Sequence, residues 1–147
     1  MKKRSFVITS LLVLSLVAAA QVVRAQETLV VSIPFDFVAG SATLPAGEYR
    51  VQKLDRNPAV LLIHCSEPTV SAMVMTNAAQ AKEPQSDSKL VFHRYGNHYF
   101  LSQVWTAGSI RGSELLKSAR EKEIAQSARL ETHGQVTLVA SLSPAQR

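Results

Sequence analysis

Four histidines, one cysteine and eleven acidic side chains are the groups in this 147-residue chain best suited to acid–base, nucleophilic or metal chemistry. His93 and His98 lie on either side of Gly96-Asn97, within two runs of alternating residues. If those runs pair as a hairpin about Gly96-Asn97, Tyr95 faces His98, Arg94 faces Tyr99, and His93 faces Phe100. His93 and His98 then share one face diagonally, and neutral imidazoles are good ligands for zinc or copper. A structural zinc takes four ligands and a catalytic zinc usually three from the protein. The hairpin supplies no Asp, Glu or Cys between the two histidines, while His64, Cys65 and His133 are remote in sequence. The ligand count therefore predicts no metal site and no cofactor, with His93 and His98 as satisfied or surface side chains.

Nucleophilic catalysis has as little local support. There is no Gly-x-Ser-x-Gly elbow. His64 adjoins Cys65, but neighbours on a strand point to opposite faces, which separates imidazole from thiol. Asp36, Glu48 and Asp55 would have to meet in space to do glycoside chemistry, and turn or strand-surface roles account for each more simply. Tyr95, Tyr99, Phe100 and Trp105 crowd the hairpin beside Arg94, as in stacking platforms for sugars or nucleic acids. One face of a sheet must be apolar in any case, so a core role is expected. The site candidates that remain are His93, His98, Tyr99 and Trp105, with no residue assigned to catalysis, cofactor or metal.

Charge gives no further lead once the N-terminus is read as an address. Met1-Lys2-Lys3-Arg4 is a basic head, Ser5 to Ala20 is uncharged and rich in Leu, Val and Ala, and Val23-Arg24-Ala25 offers small residues for an export peptidase. These are the three regions of a secretory signal peptide over residues 1–25. A membrane anchor needs about 20 predominantly apolar residues, and this run is shorter and carries Thr9, Ser10 and Ser15. Cleavage before Gln26 leaves no transmembrane span. It also removes Lys2, Lys3, Arg4 and Arg24 but none of the acids, so the formal charge of +5 falls to about +1. A clustered basic patch for nucleic acid is then missing. The expected location is periplasmic or extracellular, an oxidising setting in which a lone Cys65 is expected to be buried.

From Gln26 to Arg147 the chain reads as a single β-rich domain. Short period-two runs are bounded by Gly, Pro, Asn and Asp. Val31, Ile33, Phe35 and Phe37 alternate with polar residues, and Pro34 predicts an edge or bulge there. Leu44-Pro45-Ala46-Gly47 reverses the chain into a strand whose alternating sets are Tyr49, Val51, Lys53 and Arg50, Gln52, Leu54. Ala59 to Ser66 and Thr69 to Thr76 are further strands, the latter with Val70, Ala72 and Val74 opposite Ser71, Met73 and Met75. Asn77 to Ser88 reads as the longest loop. Ser113 to Leu130 is rich in helix formers, with Ser113 as N-cap and Lys117 spaced to pair with Glu121. Val136, Leu138 and Ala140 suggest a last strand. The expectation is an antiparallel β-barrel or β-sandwich of about six or seven strands with one late helix over 113–130.

Ile33-Pro34-Phe35-Asp36-Phe37 with Leu44-Pro45-Ala46-Gly47-Glu48-Tyr49 resembles an uncharacterised family of small exported bacterial proteins. Leu90-Val91-Phe92-His93-Arg94-Tyr95-Gly96, Tyr99-Phe100-Leu101 and Val104-Trp105 look like the central hairpin of that family. Gly112-Ser113-Glu114-Leu115 leading into Ser118-Ala119-Arg120-Glu121 is similar as well. The resemblance implies export and a shared β fold, and no functional residue. The expectation is a non-catalytic exported protein with a binding or envelope-structural role, its partner an envelope or extracellular molecule. A carrier of a small apolar ligand within a barrel and a hydrolase of envelope polymers are the alternatives. A cavity in the interior would favour the carrier.

Overall fold

The computed structural model describes residues 27–128 and 133–143. The signal-peptide reading over residues 1–25 lies outside the described residues. Among the described residues ten strands and one helix follow in order: β1 Thr28–Ile33, β2 Phe37–Ala39, β3 Ala42–Leu44, β4 Gly47–Leu54, β5 Asn57–Cys65, β6 Val70–Gln80, β7 Ser88–Tyr95, β8 His98–Trp105, β9 Arg111–Leu115, α1 Ala119–Ser127 and β10 His133–Ser143. Eight of the strands close an antiparallel barrel in the order β8-β7-β10-β1-β4-β5-β6-β9, with β9 returning to β8. Closure leaves no free long edge, the standing liability of an open sheet. No helix among the described residues is long and apolar enough to cross a membrane.

Alternation decides what fills the barrel. Leu29, Val31 and Ile33 of β1, Tyr49 and Val51 of β4, Leu61, Ile63 and Cys65 of β5, and Leu90 and Phe92 of β7 are all buried in one cluster. Val136 and Leu138 of β10 pack against it, and Ala140 joins it. Met73 and Met75 point outward from β6 at 69% and 70% exposure, opposite the buried Ala72 and Val74. The Gly96-Asn97 hairpin has the expected register, Tyr95 to His98, Arg94 to Tyr99 and His93 to Phe100. Gly96 is at φ 60° and no non-glycine residue among those described has positive φ, the pattern of a II′ turn.

The short β2–β3 hairpin is the one departure from simple antiparallel order. It attaches to β8 through a parallel contact of Val38 with Phe100, and its tip at Gly40 packs against Val74. On the side away from β7, β8 therefore holds β2 near Phe100 and β9 at Gln103–Trp105. Between them the β7–β8 register slips, with Phe92 opposite Leu101 but Val91 opposite Gln103, which leaves Ser102 as the extra residue of a bulge.

Several expectations change. The helix over 113–130 is shorter at its start: Arg111–Leu115 is a strand paired with both β6 and β8, and Leu115 faces the core. Ser113 is buried in that strand, while Ser118 is the N-cap, its hydroxyl accepting from the Glu121 amide at 3.1 Å. Helix propensity yields here to the need to close the barrel, since without β9 neither β6 nor β8 is paired at this end. The proposed end at Arg129 and Leu130 lies outside the described residues. The polar stretch from Asn77 begins as strand, because Thr76–Gln80 pairs with β9. Strands outnumber the expected six or seven because β9 lies mostly where a helix was expected and β2 and β3 have three residues each, too few to show a period. β1 stops at Ile33, immediately before Pro34, and Phe35 leaves the strand to stack on Tyr99 with centroids 3.9 Å apart.

Candidate functional site

Two places concentrate chemistry; one holds none of the expected candidates, and the other is built around His93. The first is an open cavity of about 440 Å³ at the end of the barrel where β1 starts, β4 ends and β9 starts. Its floor is the last layer of the core, Leu29, Val51, Leu61 and Val104, each at most 5% exposed. Leu54 and Pro58 extend the apolar wall, and Glu27, Lys53, Asp55, Thr106 and Arg111 stand around the mouth. Strand parity explains the mixture. Lys53 continues the inward set Tyr49 and Val51, and Arg111 continues the inward set Ser113 and Leu115. At the barrel's end the inward face meets solvent, so the same alternation that fills the core delivers charged heads above an apolar floor. A volume in the range of small-molecule pockets, an apolar base and a few polar groups at the rim suit an amphipathic ligand.

The second place is the seam between the outer wall and α1. His93 is on the outward face of β7, beside the bulge that sets Ser102 on the same face. Its Nδ1 lies 2.9 Å from Oε1 of Glu121, and its Nε2 3.2 Å from the Ser102 hydroxyl. The Tyr95 hydroxyl donates to the same Glu121 oxygen at 3.2 Å. With Glu121 ionised, His93 donates through Nδ1 and accepts the Ser102 hydroxyl through Nε2, a tautomer inferred from the partners. The order Glu–His–Ser is that of an acyl-transfer triad. The surroundings assign it a different task. Ser102 is 6% and Glu121 4% exposed inside the seam, and Tyr95 takes part of the carboxylate's accepting capacity. The network fixes α1 to the barrel. The Tyr95 hydroxyl is held protonated by burial and by Glu121, its pKa raised.

The helix needs such a fastening because its apolar contact is thin. Glu121 is the one buried residue within the helix span, and only Ile124, Ala125 and the following Ala128 join Val38, Tyr95 and Phe100 in a small outer cluster. The expected surface pair of Lys117 with Glu121 is thus replaced: Lys117 precedes the helix and Glu121 turns inward to His93. Leu115 and Leu116 do not add to the apolar contact of the helix, since Leu115 is in the barrel and Leu116 is 64% exposed.

His93 and His98 share a face but not a ligand. Both ring nitrogens of His93 are engaged by Glu121 and Ser102, and His98 is exposed at the hairpin turn beside a small cleft with Asn97 and Arg120. Among the described residues no three His, Cys, Asp or Glu side chains converge. Tyr99 stacks on Phe35, and Trp105 covers Gly112 while its Nε1 donates to Gln103 at 3.1 Å. Of the three carboxylates considered for glycoside chemistry, Asp36 accepts from the Ala46 amide at 2.9 Å, Glu48 is near the start of β4, and Asp55 lies just beyond its other end. Cys65 is buried, with Gly47 packed over its sulfur. The Tyr49 hydroxyl donates to the Pro45 carbonyl at 2.6 Å, and its ring meets Phe37 edge-on. The Ile33–Phe37 and Leu44–Tyr49 blocks are therefore one structural corner. Burial pushes the Tyr49 pKa up to about 12, with Cys65 and Asp36 adding to it.

Neither a family model nor a curated protein nor a solved structure matches this chain.

Proposed function

We propose that this is an exported, non-catalytic binding protein, cleaved before Gln26, whose barrel mouth takes a small, largely apolar molecule in the periplasm or outside the cell. The observation that carries the reading is the cavity of about 440 Å³ floored by Leu29, Val51, Leu61 and Val104. Export is supported by the basic head, apolar run and Val23-Arg24-Ala25 of the N-terminus, and by the resemblance to small exported bacterial proteins. The rest of the interior is packed with side chains such as Tyr49, Phe37 and Phe92, so the ligand is confined to one end of the barrel. Uptake of the neutral probe phenylnaphthylamine tests this. One probe per chain should gain fluorescence, and Leu54→Trp, which fills the cavity from its half-buried rim, should abolish the gain. Absence of uptake by the folded wild type would refute the carrier. Intact mass of protein recovered outside the cytoplasm should begin at Gln26.

A second reading, an envelope protein that binds another protein, is favoured by the outward Met73 and Met75 beside half-buried Val60 and Leu62 on β5. Contiguous exposed apolar surface is a common mark of interfaces. Met73→Lys with Met75→Lys should then abolish co-purification with envelope proteins while leaving probe uptake intact.

A further inference from the structure

We infer that the ligand at the barrel mouth is a medium-chain carboxylic acid, its chain on the apolar floor and its carboxylate on Arg111. The inference rests on the cavity reading above and adds the identity of the head group. Four charged side chains surround the mouth, Glu27, Lys53, Asp55 and Arg111, and their neighbours sort them. Thr28 is paired with Gln52, so the next residues outward, Glu27 and Lys53, are neighbours on adjacent strands; they form no ion pair, but their opposite charges partly cancel at the mouth. Arg111 has no such neighbour. Its cross-strand partner on β6 is the neutral Gln80, and the next inward residue of its own strand is Ser113. Among the described residues the only ion pair is His93 with Glu121, and no hydrogen bond involves the Arg111 guanidinium.

The Arg111 guanidinium is therefore a planar five-donor group set on the inward face of β9, above Val104 and beside the neutral Thr106. That fork matches a carboxylate through two parallel hydrogen bonds, a geometry that an alcohol or amine does not reproduce. Asp55, in the β4–β5 turn, is the one rim carboxylate not placed beside a cation by strand register. It opposes an anion and so tunes the affinity down. The floor sets the other half of the molecule. Leu29, Val51, Leu61 and Val104 offer only apolar contact, which suits a hydrocarbon chain and disfavours a second polar group. Each methylene added while the chain still fits tightens binding about fourfold, and tightening should stop once the cavity is full.

Displacement of bound phenylnaphthylamine by decanoate, decanol and decylamine tests the assignment on the purified protein. Decanoate should bind at least tenfold more tightly than decanol, and decylamine more weakly than either. Arg111→Gln should weaken decanoate about tenfold and leave decanol unchanged, while Asp55→Asn should tighten decanoate. Unaltered near-ultraviolet circular dichroism shows that each variant remains folded. If decanol binds as tightly as decanoate, or if Arg111→Gln weakens both equally, the head-group assignment is wrong although the cavity binds ligand. If the probe is never taken up, the cavity reading itself fails, and the assignment with it.

Discussion

Removing the Glu121 carboxylate should release α1 from the barrel. In Glu121→Ala two donors lose their acceptor, Nδ1 of His93 at 2.9 Å and the Tyr95 hydroxyl at 3.2 Å. A hydrogen bond to a charged group contributes about 1.5–3 kcal/mol. The His93 side chain is 28% exposed, so water replaces much of its loss, whereas Tyr95 is 7% exposed and its hydroxyl stays unpaired if α1 remains docked. Part of the deficit is offset because the variant no longer buries a carboxylate. The net cost should be about 2–3 kcal/mol. It is large relative to the apolar contact of α1, which has Ile124, Ala125 and Ala128 and little else. A nine-residue helix is marginal on its own in water. Undocking should therefore precede global unfolding. Hydrogen exchange of amides in α1 should accelerate about 30-fold or more, corresponding to 2 kcal/mol, while β1 and β4 keep their protection. Glu121→Gln retains one acceptor and should show an intermediate effect. Unchanged exchange in Glu121→Ala would refute the claim that this network fastens the helix, and would put the anchoring on Ile124 and Ala128 instead.

Three further outcomes follow from the packing. In Gly112→Ala the new β-carbon would lie 2.5 Å from Cε3 of Trp105; strand closure should weaken by about 1–3 kcal/mol, with shifted tryptophan fluorescence, and an unshifted spectrum with an unchanged urea midpoint would contradict it. Gly96→Ala should cost about 1 kcal/mol, because the turn holds this residue at φ 60°, measured as a lower urea midpoint. Tyr49 has a pKa of about 12 in the fold against 10.0 as its ordinary value. The folded state then keeps a proton that the unfolded chain loses, so stability should fall as pH rises from about 10 to 12, by about 2–3 kcal/mol in all. Tyr49→Phe should be less stable at neutral pH, having left the Pro45 carbonyl without its donor, but should lose the Tyr49 part of this alkaline decline.

What could be read from the chain and what could not divide along the distance of the cause. Register of β7 with β8 next to the turn follows from Gly96-Asn97, because a two-residue turn fixes the pairs behind it as far as the bulge at Ser102, and His93 opposite Phe100 was accessible on that ground. Alternation separates the two sets of residues on β4 and on β6, and the closed barrel decides that Tyr49, Val51, Ala72 and Val74 face inward and Met73 and Met75 outward. The fate of Arg111–Leu115 depends instead on partners about 35 residues earlier, at Thr76–Gln80. Locally its Gly112, Ser113 and Glu114 favour no strand, and only the unpaired ends of β6 and β8 make it one.

The outer network shows the same limit more sharply. His93 and Glu121 are 28 positions apart, and Ser102 reaches them only because a bulge adds one residue to β8. One local signal does exist. Ser118-Ala119-Arg120-Glu121 has the spacing of a capping box, in which the glutamate ordinarily turns back to the cap residue's amide. It marks the true helix start, five residues after Ser113. In the fold only half of the box forms, with the Ser118 hydroxyl on the Glu121 amide, while the Glu121 carboxylate leaves the cap for His93 and Tyr95. The cavity was foreseeable in kind but not in place. Alternation puts Lys53 on the face of Tyr49 and Val51, and once the barrel turns that face inward it carries a charge that a packed core would not tolerate. Only barrel closure, which brings the end of β4 and the start of β9 to one mouth, turns that misfit into a cation above an apolar floor.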